Sequence, residues 1–146
     1  MDIVRRNTDY ALRAMVNLAE HYSNGTLSAT DLARQGDIPY QLVCKLLQRL
    51  NNAKLVKSSR GARGGFQLNR GPADITVLKV IEVIQGRLRL NRCLLSSNKC
   101  PRQKKCPVRV KLAELQKTIS SYLGSITLDK LTKKGRARLK NVRRKK

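Results

Sequence analysis

Three cysteines fall inside one short stretch, CLLSSNKCPRQKKC, at positions 93, 100 and 106. Their spacing is Cys93-x6-Cys100-x5-Cys106, and Lys99, Arg102, Lys104 and Lys105 stand among them. Thiolates are soft ligands that suit zinc and iron–sulfur clusters. The surrounding cations, with Arg92 and Arg109 just outside, favour thiolate over thiol and would offset the negative charge of a thiolate-bound metal centre. The same cations can also form a solvated face turned toward a polyanion, and the two roles are compatible. Pro101 and Pro107 each turn the chain directly after a thiol, and Pro107 suits the first position of a helix. A metal ordinarily wants four ligands, and this loop supplies three. Three thiolates plus one oxygen or nitrogen could hold zinc as well as a cluster, so spacing alone leaves the metal open.

The elements around the loop say what the thiols could report to. The 146 residues fit one compact domain, or a small domain with an appended helix. Apolar residues make up 40% of the chain, but four Tyr and one Phe are the only aromatics. Such a core is modest, and part of the apolar surface is expected to be covered by a second copy of the chain. Against nine Asp and Glu stand 32 Lys and Arg, a net charge of +23 that points to a polyanionic partner, nucleic acid first. The charge does not depend on the C-terminus. Without residues 130–146, which carry ten basic residues and no acid, 22 basic and nine acidic residues remain, a net +13. The first residues, MDIVRRNTDYALRAM, lack the apolar core and cleavage site of a signal peptide, and no apolar run reaches membrane-spanning length. A cytoplasmic protein with reduced thiols and no membrane partner is expected, so the cysteines argue for metal or redox chemistry over disulfides.

Leu12, Met15, Val16, Ala19 and Tyr22 recur at helical spacing, with Asn7 or Thr8 as the cap. Asn24-Gly25 makes a turn, and Ser28 caps a short helix, with Asp31 three residues on and Gly36 to stop it. A third helix follows from Pro39. Its stripe Val43, Leu46, Leu47 and Leu50 is buried, which leaves Tyr40, Gln41, Cys44, Lys45, Gln48, Arg49 and Asn52 facing outward. Two short helices joined by a tight turn, the second with a basic outer face, form a helix-turn-helix. LVKSSRGARGGFQLNR then reads as a hairpin with Arg60 and Arg63 at a glycine-rich tip, the position of a wing. TVLKVIEVIQG gives a fourth helix that ends at Gly86. From Pro107 a longer helix carries Val108, Leu112, Leu115, Ile119 and Tyr122 in a heptad-like stripe suited to pairing, although packing on its own domain would also bury it. The end, KKGRARLKNVRRKK, has nine basic residues in 14 and reads as a disordered arm.

The expected fold is mainly α with a small β-hairpin wing: a winged helix-turn-helix plus a long dimerisation helix. The expected division is a DNA-binding unit at 1–86, a cysteine loop at 87–106, the dimerisation helix and end segment at 107–131, and a basic tail at 132–146. Gln41, Lys45, Gln48 and Arg49 are the candidates for major-groove contacts. Arg60 is the first candidate for the minor groove, and Arg63 the candidate for a phosphate. A single histidine, no catalytic dyad and no phosphate-binding helix motif argue against an enzyme.

With these motifs in order, the chain resembles the Rrf-type (Rrf-two) bacterial transcription regulators, the group of the iron–sulfur cluster regulator and the nitric-oxide-sensitive repressor. The resemblance covers about residues 1–131 and rests on TDYALRAMVNLA, RGARGGFQLNR, ITVLKVIEVIQG, the three-cysteine loop and SITLDKL. It implies a homodimeric winged-helix protein that binds double-stranded DNA, often a repressor. In several members three cysteines hold an iron–sulfur cluster (2Fe–2S or 4Fe–4S) that senses iron, redox state or nitric oxide, and other members have none. The first gap here is one residue longer than in the best-known cluster members. Where the cluster-supply regulator has a histidine three residues after its third cysteine, this chain has Arg109, which cannot be a ligand. His21, the lone histidine, reads as a surface residue late in the first helix.

In the nitric-oxide-sensitive relatives an Asp at the start of the first helix completes the cluster from the other subunit, and the matching residue is Asp9. An acid there also suits the helix dipole, so ligand and dipole partner both stand. Cys44, where relatives commonly have Glu, is expected to be a plain helix residue. The alternative reading is a structural nucleic-acid-binding protein whose thiols hold zinc or nothing.

Overall fold

The computed structural model describes residues 3–94 and 100–137. Helix α1 (Arg6–Glu20) leads into α2 (Ala29–Gly36) and α3 (Tyr40–Asn52), followed by strands β1 (Val56–Ser59) and β2 (Gly65–Leu68). Helices α4 (Val77–Gln85), α5 (Pro107–Ser125) and α6 (Leu128–Leu131) complete the order, with short 3-10 turns at Pro72–Asp74 and Arg92–Leu94. The result is a mainly helical winged helix-turn-helix with a two-stranded antiparallel wing and a long additional helix. Residues 95–99 of the cysteine loop and 138–146 of the basic tail lie outside the described residues.

Each boundary has a local cause. Ser28 caps α2: its hydroxyl accepts from the Asp31 N–H at 3.0 Å and donates to the Asp31 carboxylate at 2.7 Å. Gly36 closes α2 for a reason other than chain reversal. The left-handed residue is Asp37 (φ 50), while a Cβ at Gly36 would stand 2.7 Å from the Ile38 side chain. Pro39 caps α3 from outside instead of opening it. Neither expected cap serves α1: Arg5 occupies the N-cap with no side-chain bond, and Thr8 is fully buried with its hydroxyl on Gln85. Because α1 ends at Glu20, Tyr22 falls beyond the helix and is exposed instead of joining the stripe.

The core joins the helix-turn-helix to the wing and to the chain's end. Met15, Leu18, Leu32, Val43, Leu47, Leu50, Val56, Leu68, Ile75, Val80 and Leu128 are almost completely buried together. The stripe expected on α3 is buried as a unit. Beside it, Val77, Ile81 and Leu88 form a smaller cluster, covered by Ile119, Leu123, Ile126 and Leu131. Backbone bonds clamp the start of α4 to the start of α6, Val77 N–H to Ile126 O at 2.8 Å and Leu128 N–H to Ile75 O at 3.0 Å. The C-terminal half of α5 is therefore anchored on its own domain, whereas no residue of α5 is fully buried.

Candidate nucleic-acid interface and thiol segment

The outer face of α3 presents Gln41, Lys45, Gln48 and Arg49, all exposed, with Cys44 half-buried among them. Lys45, Gln48 and Arg49 meet Asn7 and Asn52 around a cavity of about 440 Å³ between α3 and the start of α1. Arg49 is tied at one of its nitrogens. Its Nη1 donates to the Ile84 carbonyl at 3.0 Å, where the C-terminal carbonyls of α4 favour a cation. Cys44, one turn on from Tyr40, holds the tyrosine's pKa above its ordinary value.

The wing is built to bring backbone close and leave its arginines out. Gly64 N–H donates to Gly61 O at 2.9 Å, and a Cβ on Gly64 would stand 2.4 Å from Ser59 O, so only glycine closes this tip. At Gly65 (φ +150) the chain passes the backbone before α2, which lets Leu27 and Phe66 bridge as a third-strand stub. The Thr26 hydroxyl donates to Arg63 O at 3.0 Å, fixing the wing against the body. Arg60 and Arg63 remain exposed. Residues 38–73 contain seven Lys and Arg and no acid. The ion pairs among the described residues use Asp9, Asp31, Glu114 and Glu20, and none of them involves α3 or the wing. The reading face thus carries uncompensated positive charge, the electrostatic requirement for phosphate contact.

Cys93 sits half-buried in the 3-10 turn, and Cys106 caps the start of α5. Arg109 joins them: its Nε donates to the Cys93 carbonyl at 3.0 Å from the first turn of α5. Arg89 Nη1 on Leu94 O at 2.7 Å and the Leu90 N–H on Gln116 at 3.2 Å hold the segment along α5. Cys100 is exposed. All four cysteines are free thiols, and among the described residues no three His, Cys, Asp or Glu gather closely enough to hold a metal. Asp9 instead pairs with Arg13 at 2.7 Å, both about half exposed, while Arg6 and Arg13 lie over the Tyr10 ring. His21 is not the free surface residue expected, since its Nδ1 is buried and meets no hydrogen-bond partner among the described residues.

Sequence reasoning passed over Gln85. Its Oε1 accepts from the Arg5 N–H at 3.0 Å and the Thr8 hydroxyl at 2.7 Å, and its Nε2 donates to Ile3 O at 2.9 Å. The available signal was a long polar side chain in the last position of VLKVIEVIQ, directly before Gly86.

The family model described as "Rrf2: Iron-dependent Transcriptional regulator" matches residues 4–134. The chain belongs to the Rrf2 family. It is similar to the HTH-type transcriptional regulator IscR of Xenorhabdus nematophila, 32% identical over 124 residues that cover 85% of this chain and 75% of that protein. Among solved structures it is similar to IscR of T. potens, with 30% identity, a TM-score of 0.73, and 88% and 84% of the two chains covered. It is also similar to CymR of B. subtilis, described as the global cysteine regulator, with 27% identity, a TM-score of 0.74, and 90% and 96% covered. As an Rrf2 protein the chain is a DNA-binding transcription regulator and not an enzyme. That sets aside the alternative of a purely structural nucleic-acid-binding protein. Among the described residues, no helix is long and apolar enough to cross a membrane.

Proposed function

We propose that this Rrf2 protein is a homodimeric repressor whose DNA binding is modulated through the thiols of residues 87–106. The observation that carries the reading is the Arg109 bond to Cys93. It brings two of the three thiol-bearing residues, Cys93 and Cys106, to the root of α5, the helix with an uncovered apolar stripe. Val108, Leu115 and Tyr122 recur every seven residues and are 62%, 49% and 66% exposed, the pattern of a helix that packs on another helix. In this reading residues 1–86 read DNA, residues 107–131 pair the subunits, and residues 132–146 add non-specific attraction. Gln41, Lys45, Gln48 and Arg49 lie toward the major groove, Arg60 enters the minor groove, and Arg63 binds phosphate.

The donor set fits an iron–sulfur cluster chemically: Cys93, Cys100 and Cys106 are free, and exposed Arg92, Arg102, Lys104 and Lys105 would balance a thiolate-bound centre. The three would hold the cluster as thiolates, with Asp9 of the second subunit as the fourth ligand once it leaves Arg13. A bound cluster would supply iron–thiolate bonds that are made or broken as iron, redox state or nitric oxide changes. Arg109 would fix the Cys93 backbone, and Pro107 would direct Cys106 away from α5. A second reading takes support from the ungathered thiols and from the likeness to CymR: the same cysteines act as thiols, or with zinc, and no cluster forms.

Anaerobic purification with iron, zinc and sulfide analysis separates the two. Brown protein containing iron and sulfide, with both lost in Cys106→Ser, is the expected result. Colourless protein containing zinc or no metal would replace the cluster reading with the thiol reading.

A further inference from the structure

The last turn of α4 ties together the reading helix, the start of α1 and the segment that leads to Cys93. Arg49 of α3 donates to the Ile84 carbonyl at 3.0 Å. The next residue, Gln85, holds residues 3–8 through three hydrogen bonds to Ile3, Arg5 and Thr8. Thr8 is fully buried and directly precedes Asp9. Then comes Gly86, in a left-handed conformation (φ +84) with open space where a Cβ would be, and the segment leading to Cys93 starts at Arg87.

We infer that Ile84–Gly86 is the joint through which the thiol segment and the DNA-reading helix sense each other, with Arg49 and Gln85 as its positioning residues. The inference rests on the reading that residues 87–106 regulate DNA binding. A helix's last carbonyls lack intrahelical partners, so a guanidinium on one of them is held by both hydrogen bonding and the helix dipole. Arginine has five N–H donors in a fixed fork. With one donor on Ile84 O, the orientation of the others toward the groove depends on where α4 ends. Gln85 makes the start of α1 follow the same point, since its carbonyl accepts two bonds and its amide gives one. Displacement at Gly86 is thus felt at Arg49 on the reading face and at the turn bearing Asp9. The cavity of about 440 Å³ beside Arg49 leaves room for that side chain to change position. Coupling between two sites is reciprocal in binding free energy, so if the thiol segment biases DNA binding, DNA on α3 must shift the conformations of the thiol segment.

That reciprocity gives a test without iron. Metal-free, full-length protein is alkylated with iodoacetamide, with and without a saturating duplex that the wild-type protein has selected from random sequence. Initial rates at Cys93, Cys100 and Cys106 are read separately by peptide mass spectrometry. Saturation is confirmed for each variant by fluorescence anisotropy. The expected result is that the duplex changes the wild-type rate at Cys93 or Cys106 about fivefold or more, the lower end of ordinary coupling. Arg49→Ala and Gln85→Ala should each shrink the change to less than about twofold while still being saturated, and Arg49→Lys, which can still place a cation on the Ile84 carbonyl, should restore most of it. Should Gln85→Ala fail to fold by circular dichroism, Arg49→Ala, which truncates an exposed side chain, carries the test with its lysine rescue. An unchanged wild-type rate, or full coupling in Arg49→Ala, overturns the inference. Absence of iron and sulfide from anaerobic protein would overturn the cluster reading alone, because this measurement uses neither.

Discussion

Dimerisation through α5 can be tested at Leu115. Its side chain is 49% exposed in the isolated chain and lies outside both buried clusters, unlike Ile119 and Leu123 on the inner side of the same helix. Fully burying a leucine contributes about 1.5–3 kcal/mol, so covering its exposed half contributes ~1 kcal/mol. A two-fold interface uses the residue twice, and Leu115→Ala should therefore cost ~2 kcal/mol, roughly a 30-fold weaker dimer. Leu115→Asp should cost more, because two carboxylates would be desolvated in an apolar seam. Sedimentation equilibrium across a concentration series gives the dimer constant, and thermal unfolding at concentrations where the variant is monomeric gives the domain's own stability. The expected pattern is a monomeric Leu115→Asp protein with its fold intact, and weakened but recoverable dimerisation in Leu115→Ala. Ile119→Ala should instead lower the monomer's stability, since Ile119 packs on the Val77, Ile81 and Leu88 cluster. If Leu115→Asp remained as dimeric as the parent protein, the exposed stripe would not be the pairing surface.

Other consequences can be checked on the same preparations. Arg60→Ala should weaken binding to a selected duplex by ~1–3 kcal/mol with little effect on random duplex, whereas removing residues 138–146 should mainly flatten the salt dependence; equal slopes with and without those residues would exclude an arm. Asp9→Ala should change stability by less than about 0.5 kcal/mol, since the Arg13 pair is an exposed i,i+4 contact. Yet it should alter the visible spectrum and nitric oxide reaction of reconstituted protein, and an unchanged spectrum would return Asp9 to a helix-dipole role. The Ser28 hydroxyl, then the Arg34 guanidinium, hold the Asp31 carboxyl below its ordinary value despite some opposing desolvation. A depressed folded-state value stabilises the fold above the unfolded value and is lost as pH falls through the folded one. Acid titration of unfolding should show Ser28→Ala losing less stability than the parent over that window, with equal losses arguing against the cap's role.

How far the sequence could be read depends on whether a feature is local. The α3 stripe, the Ser28 cap and the wing were legible because each is set by periodicity or by residues a few positions apart. Asn7 or Thr8 as the α1 cap was a reasonable local reading that failed because of a residue 77 positions away: Gln85 takes the Thr8 hydroxyl. The tie on Arg49 was illegible for the same reason, as its partner is the carbonyl of Ile84, 35 residues on. Tyr22 and His21 were misplaced by the helix end at Glu20, a boundary that no glycine or proline announces. The thiols lie between these cases. Their number and cationic setting, Arg109 included, are plain in the sequence, whereas the bond by which Arg109 draws Cys93 to the start of α5 spans 16 residues and is not.

This arrangement limits how regulation can act. Residues 38–73, which carry α3 and the wing, hold seven basic residues and no acid, so attraction to phosphate persists whatever state the thiols adopt. A switch confined to residues 87–106 cannot remove that charge. In the proposed dimer, what it can change is geometry: the end of α4 where Arg49 is fixed, and the angle at which two α5 helices would present two wings. Sequence is read through the placement of a few side chains against base edges, while phosphate contacts mainly set register. In the proposed reading the thiol segment controls which duplex is preferred more than whether DNA is bound at all, and in a chain of net charge +23 discrimination is the quantity that most needs control.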